Sequence, residues 1–432
     1  MVAVGVLIDL KWHRGAGGHV KCWEAFAQAA TILPEQLDLS LHFLGEQQDM
    51  LSLSNNVRYL FHPPRFSTER LPFLKDVPGH TDIAAYNAAL LPYLDKVDVV
   101  HTTHPQFTFG KTALRYCQTH HKPLVTSIHT DTPEYSRIYT QQTLSRLFGE
   151  GYLNQLLSRK LQIPYRYQQL MLARQRRYWQ VCDHVFTAQP SDLDQVQQVL
   201  PVEQISHLRR GINPDQFHPR RGDRNWLEQT YGIPPHKFLL LFVGRLDACK
   251  NVMTYAQTLK ILLEQDLPFH GLIVGQGDHQ TDIEALLGEH VSLPGIVSHD
   301  QLGPIYASAD LFVFPSQTET IGNVVIEAKA SGLPVLVSAQ GGAHQSIGRS
   351  GVDGVIVSED TASAWAETIV ALYQAPEKLA ALRQATIASM QQRWPTWQDV
   401  LKEDLLPVWQ AVASAYNGTS TAWLKSINYL SG

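Results

Sequence analysis

The sequence predicts an α/β protein of two domains, each built on a parallel sheet, and three observations lead to this prediction. Short apolar, β-branched runs alternate with amphipathic helical patterns over nearly all of the 432 residues. The runs are apolar on both faces, as expected for strands that are covered on two sides. They form two series, one ending near Thr187 and the other beginning near Phe238. At roughly 150 residues per domain, the length favours two to three domains.

The first series of strands starts at the N-terminus. The apolar residues 1–10 have no basic segment before them, so we interpret them as a strand rather than a signal peptide. The predicted strands of both series are VAVGVLI (2–8), VDVVH (97–101), PLVTSI (123–128), HVFTA (184–188), FLLLFVG (238–244), GLIVG (271–275), DLFVFP (310–315) and PVLVS (334–338). Between them, stretches such as 252–265, 282–289 and 362–373 have the apolar spacing of helices.

A segment rich in Pro, Gly and charge, residues 209–223, separates the two series and indicates the entry to a second domain. We therefore predict an N-terminal domain over 1–203 and a C-terminal domain over 204–395. The tail, 396–432, is predicted to form amphipathic helices that pack back on the first domain. Ligands of such folds bind at the carboxyl ends of the strands, so we expect a cleft there between the two sheets.

Composition excludes several classes of protein. Hydrophobic residues make up 44% of the chain and charged residues 17%, which is incompatible with wholesale disorder. A net charge of -5 argues against a nucleic-acid partner. No apolar stretch approaches the ~20 residues of a membrane span. The four cysteines are far apart and form no CxxC pair, so a disulfide scaffold and a cysteine zinc site are disfavoured and a reducing, cytoplasmic compartment fits.

The most informative motif is PSQTETIGNVVIEAKASGLPVLVS, residues 315–338. A strand, a loop and a helix starting near Gly322 follow one another, an arrangement that presents free backbone N–H groups to an anion. Glu319 lies in the loop, and Glu327 lies in the helix on the face that it shares with Asn323. The helix start is predicted to face a phosphate, while the two acids grip hydroxyls of a sugar or a ribose. A solvated Glu327 on a buried helix is the disfavoured alternative, because the helix is nearly uncharged.

Three weaker motifs follow other strands. After FLLLFVG, Arg245 and Lys250 supply two cations that suit a diphosphate. After the first strand, Gly17 and Gly18 belong to a glycine turn that could cradle a phosphate or sugar, although it departs from GxGxxG, and no GxxxxGK[ST] is present. After PLVTSI, His129 is a candidate for hydrogen bonding or proton transfer. The other nearby histidines lack the spacing of metal ligands, so no metal site is predicted.

Residues 136–180 carry eight Arg or Lys residues against one acid, Glu150, together with Leu, Tyr, Phe and Trp. Such a surface can lie on anionic lipid. The same composition also suits the solvated face of ordinary helices. Both interpretations stay open.

Together, these motifs resemble those of retaining GT-B glycosyltransferases, in the family called glycosyltransferase family 4 or group 1. The resemblance implies two Rossmann-like domains that face each other across a cleft. It implies that Glu319 contacts hydroxyls of the donor sugar, that Glu327 holds the nucleotide ribose, and that Arg245 and Lys250 stabilise the leaving diphosphate. It also implies donor contacts by the backbone of Ile321, Gly322 and Asn323, by the loop at Gly17 and Gly18, and by His129, which resembles a histidine motif of members that glycosylate lipids.

The activity implied by this resemblance is transfer of a sugar, with retention, from a nucleotide-sugar donor to an acceptor hydroxyl. With two cations and a helix dipole in place, we expect that no metal or other cofactor is required. UDP-sugar is the favoured donor, and a lipid or glycan is the expected acceptor. Contact with an anionic membrane through 136–180 would place the chain at the inner face of the membrane. One departure from the family pattern is Gln345, where a Glu is common. A sugar-nucleotide epimerase of the same fold and a non-catalytic nucleotide-sugar-binding subunit are the alternatives.

Overall fold

The computed structural model describes residues 1–13, 16–71, 81–149 and 151–416. It divides into two compact units. Unit 1 comprises Met1–Arg209 and the chain from Trp397 onward, and unit 2 comprises Arg210–Thr396. The first stretch of unit 1 extends past the predicted boundary at residue 203, because Ile205–His207 forms the last strand of its sheet.

Unit 1 contains an eight-stranded sheet in the order β3-β4-β2-β1-β5-β6-β7-β8. All neighbouring strands are parallel except β3, which runs antiparallel to β4. The strands are β1 (Val2–Lys11), β2 (Leu37–Leu44), β3 (Asp49–Ser54), β4 (Val57–His62), β5 (Val99–Thr102), β6 (Leu124–Ser127), β7 (His184–Thr187) and β8 (Ile205–His207). The β5, β6 and β7 strands are buried along their whole length, as the uniformly apolar runs predict.

The helices of unit 1 cover both faces of this sheet, where two apolar clusters form the core. They are α1 (Gly18–Ala30), α2 (Leu91–Leu94), α3 (Thr108–His120), α4 (Thr132–Phe148), α5 (Tyr152–Gln155), α6 (Ile163–Trp179) and α7 (Pro190–Val196). Asp131 starts α4 by accepting the backbone N–H of Glu134 at 3.0 Å, which is a regular N-cap.

Unit 2 contains a six-stranded, fully parallel sheet in the order β11-β10-β9-β12-β13-β14. Its strands are β9 (Phe238–Val243), β10 (Phe269–Val274), β11 (Val291–Gly295), β12 (Leu311–Phe314), β13 (Val335–Ser338) and β14 (Val355–Val357). Its helices are α8 (Arg224–Tyr231), α9 (Val252–Glu264), α10 (Gln280–Leu287), α11 (His299–Ser308), α12 (Asn323–Ala330), α13 (Ala362–Tyr373) and α14 (Pro376–Arg393). Two parallel-sheet α/β domains are therefore confirmed.

The C-terminal segment belongs to unit 1. Its helices are α15 (Trp397–Val400) and α16 (Leu406–Tyr416), and Trp409 is fully buried in the core beside β1 and α1. Arg209 donates to the carboxylate of Asp404 at 2.7 Å, which fastens this segment to the end of unit 1's first stretch. Within the described ranges, no helix has both the length and the hydrophobicity needed to cross a bilayer.

Candidate functional site

The carboxyl ends of the neighbouring strands β9 and β12 bring Glu319 and Lys250 into direct contact. The Lys250 ammonium donates to Glu319 Oε1, and the two side chains are 13% and 16% exposed. Ser316 Oγ donates to the same carboxylate oxygen at 3.3 Å. Two residues that are 69 positions apart are thus joined at one sheet edge, as their places after adjacent parallel strands predict.

Hydrogen bonds also join the two loops that carry this pair. Thr318 Oγ1 donates to the carbonyl of Cys249 at 2.8 Å, and Asn251 Nδ2 donates to the carbonyl of Pro315 at 3.3 Å. Asp247 accepts the backbone N–H of Lys250 at 3.0 Å and so shapes the turn after β9. The position of Lys250 relative to Glu319 therefore depends on backbone contacts as well as on their ion pair.

Arg245 follows β9 at the same sheet edge. Its Nε lies 3.3 Å from Asp247 Oδ2, and its side chain is 34% exposed. The structure places Arg245 and Lys250 on one loop, and each is held by a carboxylate. Together they provide two cations that solvent can reach.

Helix α12 begins directly after the Glu319 loop. Gly322 is its N-cap with φ +79°, a left-handed conformation that favours glycine, and Ile321 is buried. Asn323 is the first residue of the helix. The N-terminal amides of α12, from Asn323 onward, therefore follow the Glu319 loop.

A second glycine turn packs on Glu319, and it begins the GGAHQSI motif that contains Gln345. Gly341 has φ +72°, and a Cβ there would lie 2.6 Å from the carbonyl oxygen of Gln317. Gly342 donates its N–H to the carbonyl of Glu319 at 2.6 Å. The first two residues of the loop that contains Gln345 therefore contact the backbone of the Glu319 loop and stabilise it.

Glu327 is held by a polar cluster. Its side chain is 13% exposed, and Tyr306 Oη donates to its Oε2 at 3.2 Å. His299 Nε2 lies 3.8 Å from Oε1, and Gln216 Nε2 donates to Nδ1 of the same histidine at 2.8 Å. The pKa of Tyr306 is raised well above its usual range by burial and by Glu327. The solvated alternative for Glu327 is therefore wrong, and Tyr306, His299 and Gln216 are site residues that the motifs did not indicate.

In unit 1, the predicted glycine turn lies at the start of α1, and His129 lies in the loop between β6 and α4. Gly17 is the N-cap of α1 in extended conformation and Gly18 is the first helical residue, while Gly15 lies outside the described residues. A Cβ on Gly17 would contact nothing within 4 Å. No steric requirement for glycine at this position is seen in the described structure.

His129 follows β6 and is 9% exposed. Its Nε2 lies 2.8 Å from Ser127 Oγ, and its ring stacks on His19 with centroids 4.4 Å apart and planes inclined by 9°. Trp23 lies against the same ring at 5.6 Å. The ring is therefore fixed in orientation by two aromatic neighbours and one hydrogen bond.

The basic segment lies in α4, α5, the π-helical stretch Leu156–Lys160 and α6. We call the described residues of 136–180 the hairpin. Arg137 is paired with Glu134, which lies just before the segment. Most of the other cations are exposed, and exposed apolar side chains occur along the same segment. The exposed cations are Arg146, Arg159, Lys160, Arg166, Arg174 and Arg177, and the exposed apolar residues are Leu147, Phe148, Tyr152, Leu153, Leu161, Tyr165, Tyr167 and Leu170.

In the part of the chain that the structure describes, no three His, Cys, Asp or Glu side chains are grouped as metal ligands. The polar groups that follow the strands of unit 2 are cations, carboxylates and helix amides. Such a set can bind a ligand that carries both phosphate and hydroxyl groups.

Comparison with known proteins agrees with this fold. Residues 43–216 match the model of Glycosyltransferase Family 4, and residues 237–375 match that of Glycosyl transferases group 1. A D-inositol 3-phosphate glycosyltransferase 1 of Catenulispora acidiphila is 34% identical over 195 residues, which cover 42% of this chain and 46% of the relative. The sulfoquinovosyl transferase SQD2 of Arabidopsis thaliana is 33% identical over 140 residues, 32% of this chain and 27% of the relative. Each match thus spans less than half of the relative's length.

Solved structures share the fold at low sequence identity. The structure of Anabaena Alr3699/HepE in complex with UDP and glucose matches with a TM-score of 0.63 and 16% identity. The match covers 96% of this chain and 100% of that chain. Sucrose-phosphate synthase from Thermosynechococcus elongatus has a TM-score of 0.67 and 18% identity, covering 97% and 98%. With both family models matched in chain order and the fold shared, the chain belongs to the group 1, or family 4, glycosyltransferases of the GT-B type.

Proposed function

We propose that this chain transfers a sugar from a nucleoside-diphosphate donor to an acceptor hydroxyl, with retention of configuration and without a metal ion. The observation that carries the proposal is the contact of Lys250 with Glu319 at the strand ends of unit 2, directly before the N-terminus of α12. A cation for the diphosphate and a carboxylate for sugar hydroxyls are thereby adjacent. UDP-sugar is the favoured donor, and the UDP and glucose named for Alr3699/HepE support this choice.

The diphosphate would be bound by Arg245, Lys250 and the first amides of α12. A guanidinium can bind two phosphate oxygens at once, whereas an ammonium acts as a point charge with three donors. Lys250 can therefore keep its bond to Glu319 and still donate to a phosphate oxygen. The positive end of the helix dipole adds to the same field. These fixed charges supply the role that a divalent cation has in other transferases, which is the basis for proposing metal independence.

Glu327 would hold the ribose. Tyr306 Oη already donates to Oε2, so the carboxylate is oriented before the ligand arrives. A ribose hydroxyl donating to this carboxylate would gain a charge-assisted hydrogen bond. Preorganisation of this kind reduces the ordering cost of binding.

The proposed reaction breaks the bond between the anomeric carbon and the diphosphate oxygen. The electron pair leaves with the diphosphate, where the cations and helix amides stabilise the added charge. The acceptor oxygen forms the new bond on the same face of the sugar, and its proton passes to the departing phosphate. Glu319 would orient the donor sugar through its hydroxyls, and His129 of unit 1 would contact the donor sugar or position the acceptor.

A lipid or glycan is the proposed acceptor, and the hairpin supports a lipid. Exposed cations next to exposed tyrosines and leucines suit the boundary between anionic headgroups and acyl chains. Binding there would place the chain as a peripheral protein at the inner membrane face. The test is co-sedimentation with vesicles that contain phosphatidylserine, at low and high salt. The Arg159→Glu, Lys160→Glu variant should lose binding, whereas Lys96→Glu, Lys402→Glu, with the same charge change elsewhere, should keep it. Absence of wild-type binding at low salt would contradict the membrane contact.

The function itself is tested by calorimetric titration with a panel of nucleotide sugars, followed by product analysis with and without acceptors. Glu319→Gln should lower kcat by on the order of 100-fold or more while the fold persists. The matched control Glu289→Gln, an exposed acid of the same unit, should keep full activity. A changed sugar in the absence of acceptor would identify an epimerase, and binding without turnover would identify a non-catalytic subunit. Transfer that survives Glu319→Gln would remove Glu319 from the site, and loss of activity on adding EDTA would contradict metal independence.

A further inference from the structure

A line of hydrogen bonds runs from the C-terminal helix α16 to His129 through the core of unit 1. Trp409 Nε1 donates to His101 Nδ1 at 3.1 Å. His101 Nε2 lies 2.8 Å from Ser127 Oγ, which in turn lies 2.8 Å from His129 Nε2. Trp409 and His101 are 0% exposed, and Ser127 is 1% exposed. Trp409 and His101 are 308 residues apart in the sequence, so only the fold brings them together.

The chemistry of these groups determines which atom donates and which accepts in each of the three hydrogen bonds. An indole N–H can only donate, so His101 Nδ1 must accept. Burial lowers the pKa of His101 to about 3, which keeps its ring neutral near pH 7. A neutral ring that accepts at Nδ1 carries its proton on Nε2, and this proton is donated to Ser127 Oγ. Phe186 stacks on His101 at 5.6 Å with an interplanar angle of 7°, so the ring is also sterically held.

The hydroxyl of Ser127 links the protonation of His101 to that of His129. Among the described residues, the two histidine nitrogens are the hydrogen-bond partners found for Ser127 Oγ. Since His101 donates to the hydroxyl, the hydroxyl proton is left for His129 Nε2. A His129 ring that accepts at Nε2 carries its own proton on Nδ1.

We propose that Trp409 is a positioning residue that fixes the Nδ1–H tautomer of His129 through His101 and Ser127. The C-terminal segment would then act on the histidine of unit 1 by ordering protons in its surroundings. The catalytic consequence rests on the proposed function: His129 would present Nδ1–H as a hydrogen-bond donor to an oxygen of the sugar or acceptor. The tautomer itself does not depend on that function.

The test is the long-range ¹H–¹⁵N spectrum of the full chain labelled on histidine nitrogens, which distinguishes the two neutral tautomers. His129→Gln and His101→Gln identify the two signals by removing them. The wild-type protein should show Nδ1–H for His129 and Nε2–H for His101 at pH 7.5. Trp409→Phe should convert these signals to mixed tautomers, and Ser127→Ala should do so for His129 alone. The control Trp365→Phe removes a fully buried indole that has no hydrogen-bond partner among the described residues, and it should leave both signals unchanged.

Kinetics provide the second readout. Trp409→Phe should lower kcat about fivefold to tenfold with little change in donor KM, the effect of losing one oriented hydrogen bond. A wild-type His129 signal with the proton on Nε2 would overturn the proposal without any variant, as would unchanged tautomers in folded Trp409→Phe. If the tautomers are as expected but no combination of donor and acceptor yields transfer, the role of Trp409 in fixing the His129 tautomer is supported and the proposed function is wrong.

Discussion

In unit 1 the polar side chains buried along the sheet include four histidines, whereas unit 2 has two lysine–carboxylate pairs of low exposure. Burial lowers the pKa of five unit 1 histidines, namely His42, His62, His101, His104 and His184. Even the buried carboxyl of Asp9 has its pKa raised well above the usual range by burial. Every ion pair described in unit 1 has one side chain at least 21% exposed.

The two lysine–carboxylate pairs of unit 2 are less exposed to solvent. Lys250 and Glu319 are 13% and 16% exposed, and Lys329 and Asp353 are 1% and 8% exposed. Under the proposed function, the fixed charge of Lys250 and Glu319 suits a phosphate-bearing ligand, because the field exists before the ligand binds. The imidazoles of unit 1 are paired with hydroxyl groups inside the core instead, as His101 is with Ser127 and His184 is with Ser206. Two domains of the same architecture thus bury different titratable groups, and their stabilities should respond differently to mutation and pH.

The largest effect is expected from Lys329→Met in unit 2. Lys329 Nζ donates to Asp353 at 2.8 Å and to the carbonyl of Ser346 at 2.5 Å, joining the back of α12 to the loop before β14. Burial alone raises the pKa of Asp353, but hydrogen bonds from Lys329 and from the amides of Gly348 and Arg349 lower it overall. Removing the cation leaves a buried carboxylate, which should destabilise unit 2 by about 3–5 kcal/mol.

Hydrogen exchange measured by mass spectrometry reports the stability of each unit separately. Protection should fall in unit 2 and stay unchanged in unit 1. The exposed Lys378→Met serves as the matched control in the same unit. Adding Asp353→Asn to Lys329→Met should restore part of the protection, because the unpaired charge is removed. Equal loss of protection in both units would show that the ion pair does not stabilise unit 2 selectively.

The second effect is acid lability of unit 1, for which His184 is a suitable probe. Its Nε2 lies 2.8 Å from Ser206 Oγ, it packs against Phe186 and near His101, and burial lowers its pKa to about 3. Its folded pKa lies below the unfolded value of roughly 6.5, so the unfolded chain binds the proton first. The stability it contributes is therefore complete above that unfolded value and is lost as the pH falls from there toward the folded pKa.

Between pH 7.5 and pH 4.5, one such histidine should lower the free energy of unfolding by about 2–3 kcal/mol. In His184→Gln, the loss between these two pH values should be smaller by that amount, whatever the variant's stability at pH 7.5. The measurement is urea unfolding at both pH values. His121→Asn, at an exposed left-handed position that asparagine tolerates, is the control and should follow the wild type. A His184→Gln protein as acid-labile as the wild type would refute this origin of the pH dependence.

Much of this arrangement follows from local patterns, and the rest depends on long-range contacts. The uniformly apolar runs predict β5, β6, β7, β9 and β12 because burial on two faces leaves a composition signal. The edge strand β3 carries no such signal, since four of its six residues are exposed and it pairs on one side. Glu319 and Lys250 could be predicted to meet because parallel strands end at one edge.

The residues that orient these side chains cannot be predicted from such sequence patterns. Tyr306 reaches Glu327 from a different helix, and Trp409 reaches His101 across 308 residues. Neither contact has a periodicity or spacing in the sequence, because only tertiary packing determines which tyrosine or tryptophan lies next to a given carboxylate or imidazole. Motifs therefore identify the residues of the candidate site better than they identify the groups that orient those side chains.

The smallest expected effect concerns Tyr306 and sharpens the difference between charge and hydrogen bonding within unit 2. Tyr306→Phe removes the donor to Glu327 Oε2 but keeps the ring and the carboxylate charge. Under the proposed function, UDP affinity should fall about threefold to tenfold, the value of one hydrogen bond, while Arg245→Ala should cost more because it removes a charge. Tyr255→Phe is the matched control, since that buried hydroxyl of the same unit donates at 2.8 Å to the carbonyl of Leu240 rather than to Glu327. Calorimetry should show unchanged UDP affinity for Tyr255→Phe. If both phenylalanine variants weaken UDP equally, the loss reflects the stability of unit 2, and Tyr306 has no specific part in orienting Glu327.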